Sequence, residues 1–190
     1  MARLVADFSM SLDGFVAGPN VGMEQPMGEG GEALHAWMFG DVDPVDARIT
    51  QQMRANTGAV ILGKRTFDVG IAHWQDVPFP VPCFVLTHAA LPDRQERNGS
   101  FRFASGGLEE ALRLARAAAG DREVRLMGAS VARQYLAAGL VDEIALQLVP
   151  LLLGAGERLF PAGMAATGLE RIASCESPRA SHVRYRLPRG

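Results

Sequence analysis

Met127-Gly128-Ala129-Ser130-Val131 is the stretch that decides the fold. It follows the apolar run Val124-Arg125-Leu126 and opens an amphipathic helix read from Val131 to Ala138. A strand that ends in small residues and passes directly into a helix brings bare backbone N–H groups up to an anion. The helix N-terminus adds its partial positive charge at the same place. Small residues also serve ordinary tight strand–helix turns, so this run alone leaves both readings open. A second junction of the same kind, Ile61-Leu62-Gly63-Lys64-Arg65-Thr66-Phe67, adds two cations and a hydroxyl to its glycine turn. Two phosphate-competent turns in one chain of 190 residues point to a dinucleotide ligand.

Outward from these junctions, strand-like and helical patterns alternate. Arg3 to Met10 reads as a first strand, closed by the turn-prone Ser11-Leu12-Asp13-Gly14. Pro19 to Gly31 is a long, sparsely apolar loop, of a kind that often binds ligands or covers them. Leu34 to Phe39 reads as a short helix and Pro44 to Asn56 as a second, with Asp43 as its N-cap. Strands follow at Ala59 to Leu62, Cys83 to Leu86 and Phe101 to Phe103, with a short helix from Thr66 to Ile71. In the helix Gly107 to Ala119, Leu108, Ala111, Leu112 and Ala115 recur at i, i+3, i+4 and i+7, and Gly120 stops it. After the strand Glu143 to Val149, Leu169 to Glu176 and His182 to Leu187 bracket Ser177-Pro178-Arg179-Ala180 as an antiparallel hairpin. The expected architecture is a single α/β domain over 1–190: a mostly parallel central sheet flanked by helices, with an antiparallel C-terminal hairpin.

Composition narrows the function classes. A net charge of -2 gives no general basic surface for a nucleic-acid backbone, and 7% aromatic residues are few for stacking single-stranded bases. The longest apolar stretch, Ile144 to Leu153, is broken by Gln147 and Pro150 and is too short to span a bilayer. Cys83 and Cys175 lie far apart with no CxxC pair, which reads as two reduced thiols and no metal site. The start of the chain lacks a basic region followed by a long apolar core, so a cytoplasmic protein is expected.

The order of the motifs resembles the dihydrofolate-reductase-like superfamily. Ser11-Leu12-Asp13-Gly14-Phe15-Val16-Ala17-Gly18 is similar to its first strand and loop, and Gly63-Lys64-Arg65-Thr66-Phe67-Asp68 to its Gly-basic-x-Thr-aromatic-acidic turn. Val85-Leu86-Thr87-His88 resembles the strand end that carries hydroxyls for the adenosine side of the cofactor. Met127 to Val131, followed by Tyr135-Leu136, resembles the Gly-rich turn and helix. Gly139 to Glu143 and Gly154 to Phe160 resemble the closing part of one branch. That branch contains the C-terminal reductase domain of bifunctional riboflavin-biosynthesis enzymes.

The resemblance implies NADPH-dependent hydride transfer to a flat, pterin- or pyrimidine-like heterocycle. It places Gly63, Lys64, Arg65 and Thr66 at the ribose 2′-phosphate and pyrophosphate, with Leu86, Thr87 and His88 bordering the 2′-phosphate. Ser105 and Gly106 lie near the adenine, and Met127, Gly128, Ala129, Ser130 and Val131 at the pyrophosphate. Ala17 and Gly18 lie beside the nicotinamide. Paired cations and hydroxyls suit a phosphate dianion better than a ribose diol, which more often meets an acid.

Asp13 is the nearest acid to the expected nicotinamide and the candidate catalytic residue; it also reads as an Asp-Gly turn that closes the first strand. Ser11, His35 and Trp37 are candidate substrate contacts, with Trp37 also readable as core. Folate reductases carry a carboxylate on the helix after the first loop. Ala33-Leu34-His35-Ala36-Trp37-Met38 has none, so dihydrofolate is not the expected substrate. His73 and His182 lack a partner pattern and read as surface residues.

A non-catalytic nucleotide- or heterocycle-binding protein on the same fold remains the alternative. A short dehydrogenase is disfavoured, because its glycine turn would follow the first strand directly. The aliphatic surplus of Glu143 to Leu153 and the exposed edge of the hairpin lead us to expect a homodimer.

Overall fold

The computed structural model describes residues 1–74, 80–96, 99–160, 163–164 and 167–188. In chain order the strands are β1 (Leu4–Ser11), β2 (Phe15–Ala17), β3 (Thr57–Gly63), β4 (Cys83–Leu86), β5 (Arg94–Glu96) and β6 (Gly99–Ala104). Then come β7 (Glu123–Met127), β8 (Glu143–Val149), β9 (Glu157–Arg158), β10 (Glu170–Glu176) and β11 (Ser181–Arg186). The α-helices are α1 (Pro44–Asn56), α2 (Lys64–Ile71), α3 (Leu108–Ala119) and α4 (Ala129–Ala137), and Gly31–Met38 is a 3₁₀ helix. The fold is α/β with a mostly parallel sheet and antiparallel strands at the C-terminal end. Two compact units make it up, Met1–Ala6 with Asn56–Val141 and Asp7–Ala55 with Asp142–Gly190.

In the first unit the strand order is β1-β7-β3-β4-β6-β5. The first five run parallel and β5 pairs antiparallel with β6. β3 is buried along almost its whole length, as its aliphatic run requires of a parallel strand covered on both faces. Its side chains join Phe67, Val81, Cys83, Val85 and Phe101 in one core cluster. Each such side chain contributes about 1.5–3 kcal/mol of burial. The α3 stripe holds, with Ala111, Leu112, Ala115 and Ala119 buried.

Register decides where this unit can bind a ligand. Leu62 lies opposite Met127, Gly63 opposite Leu86, and Leu86 opposite Ala104. The strands therefore end together along one edge, from which Gly63, Thr87, Ser105 and Gly128 lead into the following segments. Open parallel sheets bind ligands at that carboxyl edge.

In the second unit the order is β10-β11-β8-β1, with β10–β11 and β11–β8 antiparallel, and β2 and β9 form a separate two-stranded ribbon. The hairpin turn is fixed by the Ser177 hydroxyl, which accepts hydrogen bonds from the backbone N–H of Arg179 and Ala180. β10 is the sheet edge, and its side chains are mostly exposed. Leu34, Trp37, Val149 and Ala180 form a core cluster with Leu151 and Leu153 packed against it. The aliphatic side chains of β8 are thus consumed within the chain, and Leu152, at 73% exposure, is the exposed member of the leucine run.

Several boundaries differ from the sequence expectation: α2, β3 and β6 each start two residues earlier, at Lys64, Thr57 and Gly99. α4 starts at Ala129, two residues before Val131. The helix expected at Leu34 to Phe39 is a 3₁₀ helix from Gly31, and the two- and three-residue strands β2, β5 and β9 went unread. Among the described residues, no helix is long and apolar enough to cross a membrane.

Candidate functional site

Two strand–turn–helix junctions meet in the first unit. Gly128, the residue before α4, has φ +92, where an L side chain is strained, and a Cβ there would strike the Thr66 hydroxyl. Gly63, the residue before α2, has no room either: a Cβ would come within 2.9 Å of Val131. The starts of α2 and α4 therefore abut, with Thr66 of one against Gly128 of the other.

Neither start has a side-chain cap, and neither has an acid in its first turn. A helix start without a side-chain cap or a first-turn acid offers backbone N–H groups and a partial positive charge that suit an anion. α3 also begins without a side-chain cap, yet Glu109 and Glu110 occupy its first turn and Gly106 lies against the Glu110 carboxylate. Phosphate is repelled there and favoured at α2 and α4. This arrangement fits a dinucleotide pyrophosphate.

The cations and hydroxyls flank that cradle. Lys64 Nζ pairs with both Asp68 carboxylate oxygens at 2.5 and 2.7 Å and lies 5.8 Å from the Phe67 ring centre. An exposed i, i+4 pair of this kind is worth about 0.3–0.5 kcal/mol, so a phosphate dianion competes readily for Lys64. Arg65 is exposed one residue on. The Thr87 hydroxyl accepts a hydrogen bond from Ala89 N–H at 3.2 Å, and Thr87 N–H bonds Ala104 O at 3.1 Å, which stitches β4 to β6 beyond their last ladder pair. His88, Ser105, Gly106 and Ser130 are exposed, while Leu86, Met127 and Ala129 are half-buried. Val131 is buried and serves packing as well as its N–H.

In the second unit Asp13 is a clasp. Its carboxylate accepts hydrogen bonds from the Ser11 hydroxyl at 2.6 Å, Leu153 N–H at 3.1 Å and Gly154 N–H at 2.6 Å. The Ser11 hydroxyl, with help from the two backbone N–H groups, holds the Asp13 pKa down at about 2. A carboxyl held there is ionised at neutral pH and serves as the acceptor for these three donors. Ser11 is fully buried, and its hydroxyl, besides bonding Asp13, accepts from Phe15 N–H at 3.0 Å. It is a brace for the turn and is not open to a substrate.

Next to the clasp, a Cβ on Gly18 would overlap the Glu29 backbone, and one on Gly156 would overlap Ala17 O. Gly18 N–H bonds Met27 O at 2.8 Å and Glu29 N–H bonds Pro19 O at 2.9 Å. Ala17 and Gly18 are thus a backbone ribbon lined by small residues.

The remaining candidates separate. Trp37 is 1% exposed, its Nε1–H donates to the Ser9 hydroxyl at 2.9 Å, and its ring meets His182 edge-on at 5.1 Å. It belongs to the core and cannot cap a ligand in this conformation. His35 is half-buried, and burial lowers its pKa, so its ring is neutral at pH 7. His182 was read as a surface residue and is buried: Nε2 lies 2.7 Å from Asp46 Oδ1, with Asp46 fully enclosed. Asp46 lies on α1, outside the 33–38 segment. Its partner lies 136 positions away, so the sequence carries no local signal for the pair.

A family model for the RibD C-terminal domain matches residues 2–178. No curated protein sequence matches the chain. Among solved structures, a protein from Shewanella sp. PV-4, provisionally described as a riboflavin biosynthesis protein, superposes with a TM-score of 0.71 at 23% identity, over 100% of both chains. Dihydrofolate reductase from Enterococcus faecalis, complexed with NADP(H), gives 0.58 at 14% identity over 98% of this chain and 97% of that one. A Thermotoga maritima diaminohydroxyphosphoribosylaminopyrimidine deaminase/5-amino-6-(5-phosphoribosylamino)uracil reductase gives 0.65 at 13% identity, over 98% of this chain and 57% of that one.

Proposed function

Because this chain belongs to the RibD C-terminal domain family, we propose that it is an NADPH-dependent reductase that transfers a hydride to a pyrimidine-like heterocycle. The observation that carries the reading is the pair of uncapped, acid-free helix starts at Gly63 and Gly128, pressed together by Thr66. In this reading the N–H groups of Ala129, Ser130 and Val131 and the Thr66 hydroxyl hold the pyrophosphate. Lys64 leaves Asp68 for the 2′-phosphate, joined by Arg65, Thr87 and His88, while Leu86, Ser105, Gly106 and Met127 border the adenosine. Ala17 and Gly18 meet the nicotinamide with bare backbone, and the proposed reductase domain spans 1–190. NADPH, when bound, supplies the hydride; the chain's residues bind and orient. His35, held neutral by burial, is the remaining substrate contact we propose.

The test is oxidation of NADPH with 5-amino-6-(5-phosphoribosylamino)uracil, the substrate named for the Thermotoga maritima relative, and with other flat pyrimidinones, pterins and quinones. The alternative is a non-catalytic nucleotide- or heterocycle-binding protein on the same fold. Tight NADPH binding with no oxidation in any of these mixtures would select that alternative. We further propose a cytoplasmic homodimer that covers Leu152 and the β10 edge. Light scattering at a mass near a single 20.4 kDa chain would refute the dimer.

A further inference from the structure

Asp13 stands within a closed mechanical circuit. Its carboxylate holds the N–H groups of Leu153 and Gly154. Leu12 N–H bonds Leu151 O at 3.0 Å, and Arg158 donates to Asp13 O at 3.0 Å while its guanidinium lies 4.4 Å from the Phe15 ring centre. Beyond the clasp the chain runs through Gly156, whose φ of +135 is glycine territory and whose Cα face lies on Ala17 O and Gly18. It then enters the β2–β9 ribbon, where Phe15 pairs with Arg158 and Ala17 with Glu157. The segment 153–157 is therefore pinned at one end by a carboxylate and at the other by a two-rung ladder. Its middle presses on the two residues assigned to the nicotinamide.

We infer that Asp13 is a positioning residue: by gripping Leu153 and Gly154 it seats Gly156 on Ala17 and Gly18, and so sets where the nicotinamide ring can lie. The inference rests on the reductase reading above. A carboxylate suits the task better than any neutral group. It accepts all three bonds at once, and charge-assisted acceptors hold backbone N–H groups about twice as strongly as neutral ones. Asn at 13 would keep the shape but turn a donor toward one of those N–H groups. Asp13 reaches no reacting atom itself. It acts through segment 153–157, which explains why an ionised carboxylate next to the expected ring need not exchange a proton with it.

Asp13→Asn and the milder Ser11→Ala, which removes one of the three bonds, test the inference by three readings. The probes are 2′,5′-ADP, which carries the adenosine phosphates without a nicotinamide, and NADPH itself. In D13N the affinity for 2′,5′-ADP should stay within about twofold of wild type, because the residues proposed for its phosphates share no contact with Asp13. NADPH affinity should fall at least about tenfold, the value of one lost charge-assisted placement, with loss of the fluorescence change that the bound reduced nicotinamide shows. Amide exchange should quicken at Leu153, Gly154 and Gly18, less so in S11A, and Asp13→Glu should restore part of the NADPH signal.

A variant that merely unfolds would lose 2′,5′-ADP as well, and S11A then decides. An unchanged ratio of NADPH to 2′,5′-ADP affinity, or unchanged exchange at Leu153 and Gly154, overturns the positioning role. A wild-type protein that binds neither probe overturns the reductase reading, and a wild-type protein that binds both equally overturns only the nicotinamide assignment of Ala17 and Gly18.

Discussion

Replacing Gly128 by alanine loads two separate costs onto one turn. The backbone at φ 92, ψ 128 lies outside the regions open to L residues, and holding alanine there costs about 1–3 kcal/mol. The added Cβ also overlaps the Thr66 hydroxyl, and turning Thr66 off its rotamer to escape costs about 0.5–1.5 kcal/mol more. Together they predict a loss of about 2–4 kcal/mol in urea unfolding. In a chain of this length each kcal/mol moves the midpoint of thermal unfolding by about 2–4 °C. The same change displaces the first N–H groups of α4, so NADPH affinity should fall at least about tenfold. The double variant G128A/T66A should recover the contact part, about 1 kcal/mol, and keep the backbone part. A G128A protein as stable as wild type, with NADPH affinity unchanged by calorimetry, would refute the argument that this turn is built around a glycine for an anion.

Other predictions follow from single contacts. NADPH should bind at least about tenfold more tightly than NADH, and Lys64→Ala should narrow that gap without unfolding the protein, as judged by titration calorimetry. Asp68→Asn, which frees Lys64 from its ion pair, should tighten NADPH and leave NADH unchanged in the same titration. Asp46→Ala leaves His182 buried without its hydrogen-bond partner and should cost about 1–3 kcal/mol in urea melts. The Asp13 carboxyl falls from an ordinary 3.8 to about 2, so its stabilisation is present above pH 3.8 and lost as pH falls through 2. The gap in urea midpoint between wild type and D13N should be constant at higher pH and close across that window.

What could be read from sequence was what neighbouring residues determine. The β7–α4 and β3–α2 junctions announce themselves through glycine, small residues and hydroxyls within five or six positions. The α3 stripe announces itself through the 3.6-residue period. Asp13 resisted because the N–H groups it holds are 140 and 141 residues away, and an Asp-Gly turn looks the same with or without them. His182 resisted for the same reason, since its partner Asp46 is 136 residues distant and neither lies in a local pattern. Trp37 read two ways because an aromatic on a short helix suits a core and a ligand pocket equally; its bond to Ser9 settles it for the core. Strands β2, β5 and β9, of two or three residues, are too short to show alternation at all.

The central claim is tested most directly by following the near-ultraviolet absorbance of reduced nicotinamide as the protein meets NADPH and 5-amino-6-(5-phosphoribosylamino)uracil. Steady oxidation of NADPH is predicted, with kcat/KM at least about tenfold lower for NADH and little turnover when dihydrofolate replaces the pyrimidine. No loss of absorbance with that substrate or any flat heterocycle, from a protein that still binds NADPH, would contradict a reductase and leave a binding protein in its place.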